Sequence, residues 1–222
     1  MIIPAIDEAR VIGVAVQSAV DAGADEVILV DGGSHDGTPE FAKKNGARVL
    51  TAAPGRASQQ NAGAQVAVGD VLLFLHADCR LPEAGLAEIR HQLTAENSCV
   101  GGYFRQRIDD AAGIYRWIEF GNLLRAKTLK WAYGDQAMFV RTSIFQRIGG
   151  FPDMVLMEDL FIMKRLKRQG PLICISTPLL VSARRWKNHG SIRQTLCNWT
   201  MLLAVHLGVS PSVLARFYPR TT

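Results

Sequence analysis

The 222-residue chain has four cysteines, Cys79, Cys99, Cys174 and Cys197, and no two form a Cys-x-x-Cys pair. Such scatter argues against a structural zinc site or a disulfide framework and for a reducing, cytoplasmic setting. No run of about 18 apolar residues occurs, so no spanning helix is expected. The start has no basic-apolar-cleavage pattern, so no export signal is expected either. Internal repeats, low-complexity tracts and a clear linker are also missing. With 48% apolar and 20% charged residues, the composition excludes disordered, collagen-like and coiled-coil classes.

Charge is unevenly shared. The net charge is +5, but residues 1–100 carry 7 basic and 13 acidic side chains, and residues 101–222 carry 18 and 7. An acidic first half joined to a basic second half suits a site where a cation meets an anionic ligand, although composition alone also fits an uneven polar surface. The Arg and Lys residues are dispersed with few aromatics between them, which argues against nucleic-acid binding.

The first half alternates strands and helices. Ile2-Ile3 reads as a strand fragment. Glu8 to Ala22 reads as a helix with Asp7 as N-cap and Gly23 as stop. Glu26 to Val30 is a continuous apolar run, as in a buried parallel strand. A glycine-rich turn, a helix from Thr38, a strand over 47–51, a helix over 56–68 and a strand over 71–75 follow. This is the pattern of a mainly parallel α/β sheet with helices on both faces. In the second half the pattern predicts a strand from Val100 to Ile108 and a helix from Gly113 to Lys130. Beyond these it predicts a strand over 137–141, a helix from Glu158 to Arg168, two strands divided by Pro178, and a long apolar helix from Ser191.

Ligands of such sheets bind beyond the carboxyl ends of the strands. Asp7 and Glu8, then Asp31 and Asp36, then His76 and Asp78 follow three strands and should converge there. Asp78 can share a hard divalent cation with substrate phosphates, or simply cap a turn. In Asp31-Gly-Gly-Ser-His-Asp36-Gly, glycine permits close backbone approach, while Asp36 also suits a turn cap. Arg56 at a helix start opposes the helix dipole, which an anionic ligand would explain as well as solvent exposure does. Asn61 and Gly63 weaken that helix, which implies close packing or a ligand-facing side. Glu158-Asp159 opens a helix, as ordinary dipole partners do, and a pocket carboxylate is also the usual base for a hydroxyl. Arg184-Arg185-Trp186 offers phosphate forks and an aromatic wall, or a basic surface patch.

These segments, together with Tyr133-Gly134-Asp135-Gln136 and Gly149-Gly150-Phe151, resemble in order and spacing the family 2 glycosyltransferases of GT-A fold. The likeness runs from about Ile2 to Trp186 and is greatest to small bacterial members with His-Ala-Asp, Gly-Asp-Gln and Ser-Ala-Arg-Arg-Trp motifs. It implies that Pro4, Ala5, Glu8, Asp31, Gly33, Arg56, Asn61, Ala77, Asp78, Gly134, Asp135, Arg184 and Trp186 line the site of a nucleotide-diphosphate sugar, with UDP the expected carrier. It further implies Mn²⁺ or Mg²⁺ at Asp78, Asp159 as catalytic base beside Glu158, and Arg185 on the leaving group. His76 stands where the family's first Asp is usual, Asp7 where an Asn is usual, and Ser182 where a Gln is usual.

The implied reaction is inverting transfer to an acceptor hydroxyl that the sequence does not name. The alternatives are a sugar-phosphate nucleotidyltransferase, for which no lysine-bearing Gly-x-Gly phosphate loop is present, and a non-catalytic nucleotide-binding protein. Residues 1–186 would form the GT-A domain, divided at about residue 100 into nucleotide and acceptor halves. Residues 187–222 would form a helical appendage. Its apolar stretch from Leu196 to Val209 suits internal packing, a homodimer contact or, as the lesser reading, an interfacial helix at the inner membrane face.

Overall fold

A computed structural model describes residues 1–129 and 131–217; Lys130, the last residue of one expected helix, and the last five residues of the C-terminal segment lie outside them. The elements in chain order are β1 (Ile2–Ala5), α1 (Ala9–Asp21), β2 (Ile28–Asp31), α2 (Thr38–Lys44), β3 (Arg48–Thr51), α3 (Arg56–Val66) and β4 (Val71–Phe74). Then come β5 (Cys79–Arg80), α4 (Gly85–Ala95), β6 (Gly101–Ile108), α5 (Gly113–Leu129), a 3-10 turn (Gly134–Gln136), β7 (Met138–Arg141) and α6 (Thr142–Arg147). The last are α7 (Glu158–Leu166), β8 (Leu172–Val181), α8 (Arg184–His189), α9 (Ser191–His206) and α10 (Pro211–Leu214).

One sheet of eight strands runs in the order β3-β2-β1-β4-β7-β6-β8-β5. β1, β2, β3 and β4 are mutually parallel, and the apolar runs of β2 and β4 suit strands covered by helices on both faces. β7 enters antiparallel between β4 and β6, and β5 lies antiparallel on β8 at the far edge. Two cores fill the layers, one around Ile3, Leu29, Leu75 and Phe139, the other around Ile2, Phe74, Tyr103 and Val140. Pro4 is tolerated in a central strand for a geometric reason. The Met1 carbonyl accepts from β2 and the Ile2 carbonyl from Leu75, so alternate residues face opposite neighbours, and the pairing with β4 has ended at Ile2–Phe74 before Pro4 is reached.

Three expectations need correction. Asp7 is not the N-cap of α1: it has φ 53°, its carboxylate accepts from the His35 amide at 2.8 Å, and Glu8 occupies the cap without a side-chain bond. The helix starting at Glu158 stops at Leu166 rather than Arg168. The two strands divided by Pro178 are one, β8.

β8 stays whole because its irregularity is satisfied from outside. Opposite β6, Ile175 pairs with Phe104 and Leu179 with Gln106, so β8 spends two extra residues there. Glu88 on α4 takes up the orphaned donors: one carboxylate oxygen accepts the amide and hydroxyl of Ser176 at 2.9 and 2.7 Å, the other those of Thr177 at 3.2 and 2.6 Å. Against a burial cost, these hydroxyls and amides hold the Glu88 carboxyl at about 2, below its ordinary 4.5. A lowered folded-state pKa gives stability that is complete above the unfolded value and fades as pH falls toward the folded one. Wild type should therefore lose stability between pH 4.5 and about 2, whereas Glu88→Gln, less stable at neutral pH, should show a flatter profile there. Denaturation midpoints across that window check it; parallel profiles would refute the coupling.

Candidate functional site

The β1, β2 and β4 strand ends open onto one edge of the sheet, and the loops there are tied to one another. The Asp36 carboxylate accepts the Thr38 amide and hydroxyl of its own turn and, at 2.9 Å, the Ala9 amide that starts α1. Its cap role therefore spans two loops. Asp31 is buried, and its oxygens accept the Gly33 and Ser34 amides and the Ser34 hydroxyl. Gly33, at φ 98°, has the left-handed backbone this turn requires. Gln59, not singled out from the sequence, donates to the carbonyls of Ala5 and Val30 at 2.9 and 2.7 Å and pins α3 beneath the site. Its sequence signal was the Gln59-Gln60 pair in a helix otherwise rich in small residues.

A cleft lies beside these loops, lined by Arg56, His76, Tyr133, Gly134, Asp135, Leu156, Met157, Glu158, Asp159, Arg185, Asn198 and Met201. Six expected site residues meet here: Arg56, Gly134, Asp135, Glu158, Asp159 and Arg185. Asp159 heads α7. Its Oδ2 accepts the Gly134 amide at 2.7 Å and its Oδ1 the Leu160 amide at 2.7 Å. A Cβ at Gly134 would lie 2.2 Å from Nε2 of His76, so any larger residue there would have to displace the imidazole. That ring therefore packs directly against the 3-10 turn that holds Asp159.

The turn has its own support. Arg125, buried in α5, donates to the Trp131 carbonyl, to Asn122 and to Oε1 of Gln136, and stacks 3.8 Å from the Tyr133 ring centroid. Gln136 in turn accepts the Tyr133 amide. The sequence motif contained Gln136, but nothing local marked Arg125, eleven residues away. Asn198 and Met201 were missed because α9 reads as a largely apolar helix; Asn198 set between Cys197 and Trp199 was the available sign.

The cleft mixes charges at close quarters. Burial raises the Glu158 carboxyl well above its ordinary value, and Asp159 beside it adds to this, while Arg56 works against it. Burial and then Arg56 push His76 far down, so its ring is neutral at neutral pH. Burial raises Asp135 despite Arg185 and Arg125. Gln106 donates to its Oδ2 at 3.0 Å, while its Oδ1 is buried with no hydrogen bond among the described residues. Asp78 is close enough to act on His76, Asp135, Glu8 and Cys79. The described non-glycine residues with positive φ are Asp7, Ala137 and Met157, at 53°, 40° and 66°; all three adjoin this region, where strained backbone is usually found.

Other expected residues do different work. Arg184 donates to both oxygens of Glu8 at 2.9 and 2.7 Å, joining the acidic half to the basic half across 176 residues. Burial raises Glu8 even so. Asn61 exchanges two 2.9 Å hydrogen bonds with the backbone of Phe151, so both ends of its amide are spent on a loop. Gly63 allows α3 to lie on β1, since a Cβ would sit 2.6 Å from Ile2. These two settle the close-packing alternative for α3. Pro4, Ala5 and Ala77 are buried, and Trp186 is turned into the core against Tyr115 instead of forming an aromatic wall.

The sequence model described as Glycosyl transferase family 2 matches residues 1–149. The chain belongs to this family. Its structure has the GT-A fold, and three solved structures give the extent of the likeness. Mannosyltransferase PcManGT from Pyrobaculum calidifontis, in complex with GDP-Man and Mn²⁺, is 22% identical, with a TM-score of 0.66 over 82% of this chain and 55% of that one. Glucosyl-3-phosphoglycerate synthase from Mycobacterium tuberculosis, with Mn²⁺, UDP and glucosyl-3-phosphoglycerate, is 17% identical, with a TM-score of 0.59 over 82% and 68%. S. aureus TarS 1-349 is 14% identical, with a TM-score of 0.65 over 96% and 67%. The family 2 chain thus spans about half the length of the first of these. No curated protein matched it.

Proposed function

We propose that this family 2 chain is an inverting glycosyltransferase that moves a sugar from a nucleotide diphosphate, UDP in the first instance, to an acceptor hydroxyl. The observation that carries the reading is Asp159: a carboxylate held by the Gly134 amide in a cleft, with Arg56 and Arg185 beside it. Asp159 would take the acceptor's proton as the hydroxyl attacks the anomeric carbon from the face opposite the diphosphate. Arg56 and Arg185 would meet the charge that develops on the leaving group, where fixed cations act without reorganisation. His76, kept neutral, would support the turn rather than add charge.

Asp78 fits a divalent cation as a single ligand. No group of three His, Cys, Asp or Glu side chains clusters for a metal among the described residues. Mg²⁺-type sites, however, commonly combine one or two carboxylates with substrate phosphates. When bound, Mn²⁺ or Mg²⁺ would act as a Lewis acid on the diphosphate. Calorimetry tests this part: UDP should bind more tightly with Mn²⁺ than with EDTA, and Asp78→Asn should abolish the difference. Equal affinities would remove the metal from the reading, and no binding of UDP or GDP under either condition would remove the donor.

A further inference from the structure

Two helices leave apolar stripes uncovered. On α5, Ile114, Trp117, Phe120 and Leu124 are exposed, Trp117 by 75%. On α9, Ile192, Leu196, Trp199 and Leu203 are exposed, all by at least 46%. Steps of three and four residues place each set on one helix face. The stripes adjoin, because the helices pack together and a Cβ on Gly121, next to Phe120, would lie 3.8 Å from Cζ2 of Trp199.

The exposed charges carried by the two stripes are of one sign. Lys127 follows Leu124 by three residues and Arg193 precedes Leu196 by three, so each lies on its stripe, and both are exposed. From Ser191 to Phe217 the chain has no Asp or Glu. The one carboxylate of α5, Glu119, is buried, accepts the Ile108 amide at 2.6 Å and pairs with Arg116.

We propose that the α5–α9 face docks on an anionic lipid surface. An apolar stripe carrying tryptophan and rimmed by Lys and Arg is the pattern of an interfacial helix, whose rings enter the headgroup boundary while the cations meet anionic lipid. A second copy on the same face is disfavoured by charge. A two-fold contact is self-complementary, so it would set Lys127 and Arg193 against their own copies with no acidic partner in α9. Because α9 also contributes Asn198 and Met201 to the cleft, docking would hold the cleft about 10 Å, one helix diameter, from the lipid. The proposal does not depend on the catalytic reading.

Vesicle flotation of the whole chain tests it. The chain should float with vesicles containing phosphatidylglycerol, less with pure phosphatidylcholine, and less in high salt. Trp117→Glu with Trp199→Glu should cut the bound fraction about tenfold on both. Lys127→Glu with Arg193→Glu, exposed positions that tolerate charge reversal, should cut it about tenfold on the anionic vesicles and decides the matter if the tryptophan pair misfolds. A wild-type chain that stays in the soluble fraction overturns the proposal. So does unchanged flotation of the folded variants, or a dimer in light scattering that the tryptophan pair dissociates while vesicles leave the chain unbound.

Discussion

Asp159→Asn is expected to leave the fold and nucleotide affinity in place and to lower transfer by about 10²- to 10⁴-fold, the span that a positioned general base supplies. Asn has the same shape as Asp and keeps one acceptor. It can receive the Gly134 amide or the Leu160 amide, but not both, because its NH₂ then faces the other donor. A thermal midpoint lowered by a few degrees at most is therefore expected, from one mismatched hydrogen bond of about 1 kcal/mol. Lost activity with unchanged UDP calorimetry separates chemistry from unfolding. Glu158→Gln provides the contrast: Glu158 already resists ionisation, so its neutral replacement should retain far more activity than Asp159→Asn. Full transfer by the Asp159 variant would end its assignment as base.

Gly101→Ala carries the largest expected effect on stability. Gly101 lies in β6 between β7 and β8, paired with Val140 on one side and Leu172 on the other. A Cβ there would sit 2.3 Å from the Phe139 carbonyl oxygen and 2.9 Å from Cα of Val140. These are backbone atoms of a paired strand and cannot turn aside as a side-chain tip can. β6 and β7 would have to separate, at a cost of about 3 kcal/mol or more. Function should suffer with it, since β6 carries Gln106, the donor to Asp135, and β7 begins next to the turn that holds Asp159. Gly113→Ala is the control, because a Cβ there meets nothing within 4 Å. Urea unfolding should separate the two widely; a Gly101 variant as stable as the control would refute the close approach.

Elements whose fate depends on local pattern were legible. The apolar runs of β2 and β4 could only be strands buried on both faces, and the acidic residues beyond the strands do gather at one sheet edge. What escaped depended on partners distant in sequence. β8 reads as broken at Pro178 until Glu88, some ninety residues earlier, is seen to satisfy its bulge. Asn61 reads equally as close packing or a ligand-facing side until Phe151 is brought against it. Trp186 illustrates a limit of composition: an aromatic beside two arginines suits a binding wall and a core equally well, and only Tyr115 packed against it decides. α4 and β5 carry no chemistry-bearing motif and went unread. The family match ends at residue 149, so α7, α8 and α9, which complete the cleft, fall outside it.

The position of β5 has a consequence for synthesis. Among the described residues, Cys79 and Arg80 pair only with Val181 and Leu180 of β8, and Asp78 immediately precedes them, its carbonyl accepting the Ser182 amide. A chain emerging from the ribosome can assemble β1 to β4 early, because their partners lie close in sequence. The segment carrying Asp78 must wait for about a hundred further residues, and non-local closures of that kind are the slow ones. The nascent protein would thus hold a parallel four-stranded sheet while Asp78, the carboxylate proposed to face the cation, is still unplaced, and the cleft is completed only after β8 docks and α8 and α9 join it.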